Sequence, residues 1–214
     1  MNAPPPGATG DLADLQHPRF ARAYEWISRR MDERGGLEHR RRLLEPLAGR
    51  VIEVGSGNGR NFAHYPTSVT AVVAVEPEGV LRSAAERAAS KSPVPVTVAP
   101  GRADRLPGDD GEYDAAVMSL VLCSITDPDA ALTEVRRVLR TGGTLRFYEH
   151  VRSRRRPVGL FQDAISPLWS RLFGGCRLNR ETTAVIGAAG FETTEVERFS
   201  FSGVAHVIGA ARAL

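Results

Sequence analysis

Residues Val51-Ile52-Glu53-Val54 run straight into Gly55-Ser56-Gly57-Asn58-Gly59-Arg60-Asn61-Phe62, a short β-branched run that breaks into a loop with glycine at every second position. A strand breaks this way where the backbone must take positive φ and where another group approaches too closely for a Cβ. If a helix follows, its unpaired N–H groups point at the same spot. The stretch therefore predicts a cofactor-binding turn of the nucleotide-binding α/β kind.

The chain has 214 residues, enough for one domain with a sizeable core, and its 42% apolar and 25% charged residues are an ordinary globular balance. The Met1–Gly7 run lacks the apolar stretch of a signal peptide, and no apolar run is long enough to span a bilayer. Residues 1–11 read as a disordered tail. Cytoplasmic residence without integral membrane association is expected, as a monomer or weak homodimer. The net charge of +3 is small, and the basic residues are nearly all arginine without interleaved aromatics, so no nucleic-acid partner is expected. Cys123 and Cys176 lack C-x-x-C spacing and are too few for a structural zinc site; they read as reduced, buried small side chains, and no metal is expected.

Phe20, Tyr24, Ile27 and Met31 recur at helical spacing within 12–32, and a second helix fits 37–48. Together, 12–48 reads as an N-terminal helical lid. Strands fit 50–54, 70–75, 94–98, 113–119 and 143–149, alternating with helices at about 58–65, 78–91, 127–140 and 179–189. Such alternation implies a mostly parallel sheet covered on both faces. Residues 192–200 and 203–212 follow as two strand-like runs meeting at Ser202-Gly203, a hairpin that makes the last strand antiparallel. The expected fold is thus α/β, a Rossmann-like seven-stranded sheet over 49–214. An insertion at about 152–178, opening on Arg152, Arg154, Arg155 and Arg156, is expected to fold as one or two short helices over the site.

Four features converge on the carboxyl ends of the strands, where open α/β sheets bind ligands. They are the glycine loop; Glu76, an acid about 20 residues on that suits a ribose diol; Arg102-Ala103 past strand three, at the adenine edge; and Ser119-Leu120 ending strand four. A dinucleotide fingerprint would need G-x-G-x-x-G, but Arg60 holds the place of its third glycine, and a closing hairpin does not suit that class.

The glycine loop, Glu76, Leu106-Pro107 and the terminal hairpin resemble those of class I S-adenosylmethionine-dependent methyltransferases. Ser119–Ser124 and Glu134–Gly143 resemble the branch that includes quinone-biosynthesis enzymes. Phe147-Tyr148-Glu149-His150-Val151, Pro167-Leu168-Trp169 and Leu172–Glu181 are similar to the methyltransferase-like 7 group, which methylates small alkyl thiols. That group has an N-terminal membrane anchor not seen in these residues, so membrane residence is not expected to carry over.

The resemblance implies S-adenosyl-L-methionine as cofactor and a small-molecule thiol as acceptor. It implies a binding set of Tyr24, Glu53, Gly55, Ser56, Gly57, Gly59, Asn61, Phe62, Glu76, Pro77, Arg102, Ala103, Ser119 and Leu120, with Tyr24 similar to a lid tyrosine. His150, at the end of strand five, is the first candidate for a general base and His206 the second. Because side chains alternate along a strand, only one of Glu149 and His150 is expected to point inward. Two other readings stay open: C- or O-methylation of a quinone, lipid or natural-product ring, and a cofactor-binding protein without catalysis.

Overall fold

A computed structural model describes residues 12–214; the tail expected at 1–11 lies outside them. Two helices come first, α1 (Pro18–Met31) and α2 (Leu37–Leu44), joined through a wide turn at Asp32–Gly36 where Gly35 takes φ 113°. Then follow β1 (Gly49–Val54), β2 (Val69–Val75), α3 (Gly79–Ala89), β3 (Val96–Ala99), β4 (Tyr113–Ser119), α4 (Pro128–Val138) and β5 (Leu139–His150). The chain closes with α5 (Arg156–Leu172), α6 (Thr182–Ala188), β6 (Phe191–Phe201) and β7 (Val204–Ala213).

The strands form one seven-stranded sheet in the order β3-β2-β1-β4-β5-β7-β6. All pairs from β3 to β5 are parallel, and β7 lies antiparallel between β5 and β6. Alternation along the central strands sorts the core into two faces. Ile52, Val54, Ala116 and Met118 pack with Leu132, Val135 and Val138 of α4 and Ile186 of α6. Val51, Ala115 and Val117 pack with Leu43 and Leu44 of α2 and Ala85 of α3. The hairpin closes through Ser202 and Gly203, both at positive φ (51° and 81°), the handedness that suits the twist of paired strands.

Several expectations need correction. No helix spans 58–65; a single turn, Phe62–His64, follows the glycine loop. Gly57 and Gly59 hold φ of 57° and 74°, so the segment cannot wind as a right-handed helix from its start. The third strand is Val96–Ala99, β5 extends back to Leu139, and the helix placed at 179–189 is only Thr182–Ala188. The insertion, expected as one or two short helices, forms a single long one, the 17-residue α5 with Pro167 inside it. Among the described residues no helix is long and apolar enough to cross a membrane.

Candidate active site

The glycine loop is sewn to the end of β2. Gly55 and Ser56 both donate to the Val75 carbonyl, at 2.8 and 3.1 Å. Gly57 donates to Glu76 Oε2 at 2.7 Å, and Glu78 donates to Glu76 Oε1 at 3.0 Å. Glu76 is 5% exposed, and burial pushes its carboxyl up to about 7. Ser56 Oγ and Ser119 Oγ, at the ends of β1 and β4, are buried hydroxyls with no partner among the described residues. Leu120 turns the chain after β4 with φ 60°, a strained value for a branched residue and of the kind that clusters at functional sites. A carboxylate facing a loop held open at positive φ, with two orphan hydroxyls nearby, fits an adenosine-bearing cofactor.

Gly55 is required twice over. It holds φ 67°, and a Cβ there would lie 2.5 Å from Val121 Cγ2. Gly55→Ala is therefore expected to lose about 1–2 kcal/mol from backbone conformation alone, and more from displacing Val121. Thermal denaturation checks this: an unchanged midpoint would show that the loop is not held at this conformation.

Other residues of the expected set serve the scaffold. Glu53 is buried, accepting from Asn61 Nδ2 at 2.8 Å and from the Tyr65 hydroxyl at 2.6 Å. Asn61 Oδ1 in turn accepts from Arg40 Nη1 at 2.9 Å, and Asp32 accepts from Arg40 and pairs with Arg60 at 2.9 and 3.1 Å. Phe62 is fully buried against the α2–α3 side of the core, leaving no surface for a ligand. Glu53, Asn61 and Phe62 thus set the shape of the loop from behind.

The N-terminal segment crosses the strand ends. Asp14 pairs with Arg102 at 3.0 Å, and Gln16 bonds both Pro77 O and Gly79 N at 2.8 and 3.0 Å. Asn58 donates to Ser28 Oγ at 3.0 Å, and the Tyr24 ring lies 3.5 Å from where a Gly57 Cβ would stand. Arg102 also pairs with Asp104, with half-buried Ala103 between them. Tyr24, Pro77, Arg102 and Ala103 are thereby brought to the same rim as the glycine loop.

The ends of β4 and β5 hold a second constellation, which residue spacing did not reveal. The Glu149 carboxylate is wholly buried and accepts three consecutive backbone N–H groups, from Val121, Leu122 and Cys123, at 3.0, 2.9 and 3.0 Å. His150 Nδ1 lies 3.3 Å from Cys176 Sγ and 3.6 Å from Cys123 Sγ, and the two sulfurs are 3.6 Å apart. Glu149 and His150 therefore both engage the chain around Cys123, against the expectation that only one would point inward. The cysteines are buried as expected but are not inert filler: the Cys123 thiol and then His150 draw the Cys176 thiol down, while Cys176 and burial push Cys123 up.

His150 Nδ1 is turned to the two sulfurs, which leaves a role as base to its Nε2. His206 is a poor base. Its Nδ1 lies 2.9 Å from the Val204 carbonyl, and burial, then the neighbouring His150, lower its pKa to about 3. An imidazole that releases its proton so readily stays neutral through the working range. Around these groups, Ile165, Trp169 and Phe173 of the insertion pack with Leu178 and Val204 on Cys123 and Cys176. Phe161 and Leu168, on the same insertion, face outward.

Residues 52–147 match the family model described as a methyltransferase domain. The chain is 36% identical over 165 residues to thiol S-methyltransferase TMT1B of Homo sapiens, covering 72% of this chain and 66% of that protein. A demethylmenaquinone methyltransferase of Clavibacter sepedonicus is 33% identical over 132 residues, covering 59% of this chain and 53% of that one. The chain thus spans less than two thirds of either relative. A crystal structure described as an S-adenosylmethionine-dependent methyltransferase, possible histamine N-methyltransferase, from Thermotoga maritima shares the fold, with a TM-score of 0.69 at 23% identity over 91% of this chain and 98% of that one. With the strand order, the closing hairpin and the glycine loop facing Glu76, these likenesses place the chain in the class I S-adenosylmethionine-dependent methyltransferases.

Proposed function

We propose that this protein transfers a methyl group from S-adenosylmethionine to the sulfur of a small-molecule thiol. The observation that carries the reading is the apolar cluster at the ends of β4 and β5, where aromatic and aliphatic side chains surround two sulfurs and an imidazole. When bound, the cofactor supplies an electrophilic methyl on a cationic sulfur. Glu76 and the glycine loop would hold its adenosine end, with Ser56 and Ser119 offering unpaired hydroxyls. Apolar side chains around an anionic sulfur would exclude water from it, which favours a reaction that consumes charge. Placing the two reactants together lowers the barrier by up to about 7–11 kcal/mol in favourable cases.

The likeness to thiol S-methyltransferases supports this acceptor, and the likeness to a demethylmenaquinone methyltransferase supports a second reading, methylation of a quinol ring carbon. Purified protein offered simple alkyl thiols and reduced quinones in parallel separates them. Thioether formation well above background is expected. Methylated quinol without thioether would replace the first reading by the second, and cofactor binding without product from any acceptor would remove both.

A further inference from the structure

Cys123, His150 and Cys176 come from three separate segments: the turn after β4, the end of β5, and the turn that follows α5. Their donor atoms form a triangle with edges of 3.6, 3.6 and 3.3 Å. A tetrahedral zinc ion bound at about 2.3 Å to sulfur and about 2.0–2.1 Å to nitrogen spaces its ligands about 3.7 Å apart for two sulfurs and about 3.5 Å for sulfur and nitrogen. The triangle matches one face of that tetrahedron within a few tenths of an ångström. We propose that Cys123, His150 and Cys176 are a three-ligand site for a thiophilic divalent cation of the zinc class, with its fourth position open to the thiolate of the methyl acceptor.

The surroundings are built to hold these three groups. Glu149 fixes the turn that carries Cys123 by its three backbone N–H bonds. Arg177 N–H donates to the Cys123 carbonyl at 2.8 Å, and Arg180 donates to the Leu122 and Ile125 carbonyls, each at 2.8 Å. Gly175, at φ 87°, lets the turn carrying Cys176 press on Ser124, whose carbonyl oxygen would lie 2.9 Å from a Cβ there. Ligands held by such outer contacts need little rearrangement to take a metal.

Charge favours the same occupant. Two thiolates and a neutral imidazole around a dication are neutral overall, which apolar surroundings tolerate far better than an unpaired ion. Among the described residues the cluster has three ligating side chains and no fourth, the pattern of a metal site that keeps a position for substrate. Trp169 packs against this cluster. On binding, an acceptor thiol loses its S–H proton to solvent water, and its sulfur lone pair forms the fourth metal bond. This last part rests on the thiol reading above; the metal site does not.

The test uses the full chain purified without chelator, with zinc measured by elemental analysis. About one zinc per chain is expected, and cobalt exchanged into the site should show tetrahedral ligand-field bands and sulfur-to-cobalt charge transfer. Cys123→Ser and Cys176→Ser should each weaken metal binding at least tenfold while calorimetric affinity for the demethylated cofactor is unchanged. If either variant fails to fold, the wild-type spectrum decides. Adding a simple alkyl thiol should shift the cobalt bands. A wild-type chain that takes no zinc or cobalt at micromolar concentration, its two thiols reacting freely or joined to each other, would overturn the site. Full thiol methylation by rigorously metal-free protein would overturn the acceptor assignment while sparing the thiol reading. Stoichiometric metal without thiol methylation would overturn the thiol reading, and the acceptor assignment with it, while sparing the metal site.

Discussion

Glu149→Ala is expected to destabilise the protein by about 3–5 kcal/mol, because it strips three buried backbone N–H groups of their one acceptor. Each such group left unsatisfied costs about 1–3 kcal/mol, and water entering the gap recovers part of the sum. The donors are Val121, Leu122 and Cys123, in the turn that also packs Val121 against Gly55. The damage should therefore reach both the glycine loop and the sulfur cluster. Glu149→Gln separates hydrogen bonding from volume. Its carbonyl can accept from Val121 and Leu122 as Oε1 does now, but its amide would point a donor at the Cys123 N–H, so a loss of about 1–3 kcal/mol is expected. Chemical denaturation of the three proteins checks the order. A Gln variant as stable as wild type would show that the Cys123 contact contributes nothing, and an Ala variant within about 0.5 kcal/mol of wild type would remove Glu149 as the clamp of this turn.

Glu76→Ala is expected to weaken cofactor binding by about 1.5–3 kcal/mol, or roughly 10- to 150-fold in Kd, through loss of hydrogen bonds from ribose hydroxyls to a charged acceptor. Calorimetry with the demethylated cofactor measures it, and an unchanged Kd would mean that Glu76 serves only the loop. The pH dependence gives an independent check. Burial raises Glu76 to about 7 from 4.5, so in the free protein its contribution to stability is full below pH 4.5 and is lost as pH rises through 7. Hydroxyl donors favour the ionised form, so cofactor affinity moves the opposite way. A group with pKa about 7 is roughly a tenth ionised at pH 6 and nine-tenths at pH 8, which predicts up to about tenfold tighter binding across that range. Glu76→Gln should flatten the profile; a slope that survives this change belongs to another group.

The parts of this protein that were legible in its residues are those made by neighbours in the chain or by one strand and the next. Gly57 and Glu76, 19 residues apart, meet because β1 and β2 are adjacent and parallel, so both end at the same edge of the sheet. Ser202-Gly203 could be read as a hairpin turn because two residues at positive φ are enough to reverse a strand. The helix expected at 58–65 failed for the opposite reason. Asn61 is drawn down to buried Glu53 and to Arg40 of α2, and no pattern within the segment announces that pull.

Class and cofactor thus follow from the order of strands and helices, the glycine spacing and one acid, all local signals that hydrophobic alternation and backbone sterics impose on a short window. The sulfur site does not follow from the sequence. Cys123 and Cys176 stand 53 residues apart, with His150 between them, far from the short C-x-x-C and H-x-x-x-H spacings of zinc motifs. Only the packing of β4 beside β5, with α5 folded back over their ends, brings three soft donors within 3.6 Å of one another. Contacts between segments depend on how elements pack, and that is settled by the whole core rather than by any run of residues within it.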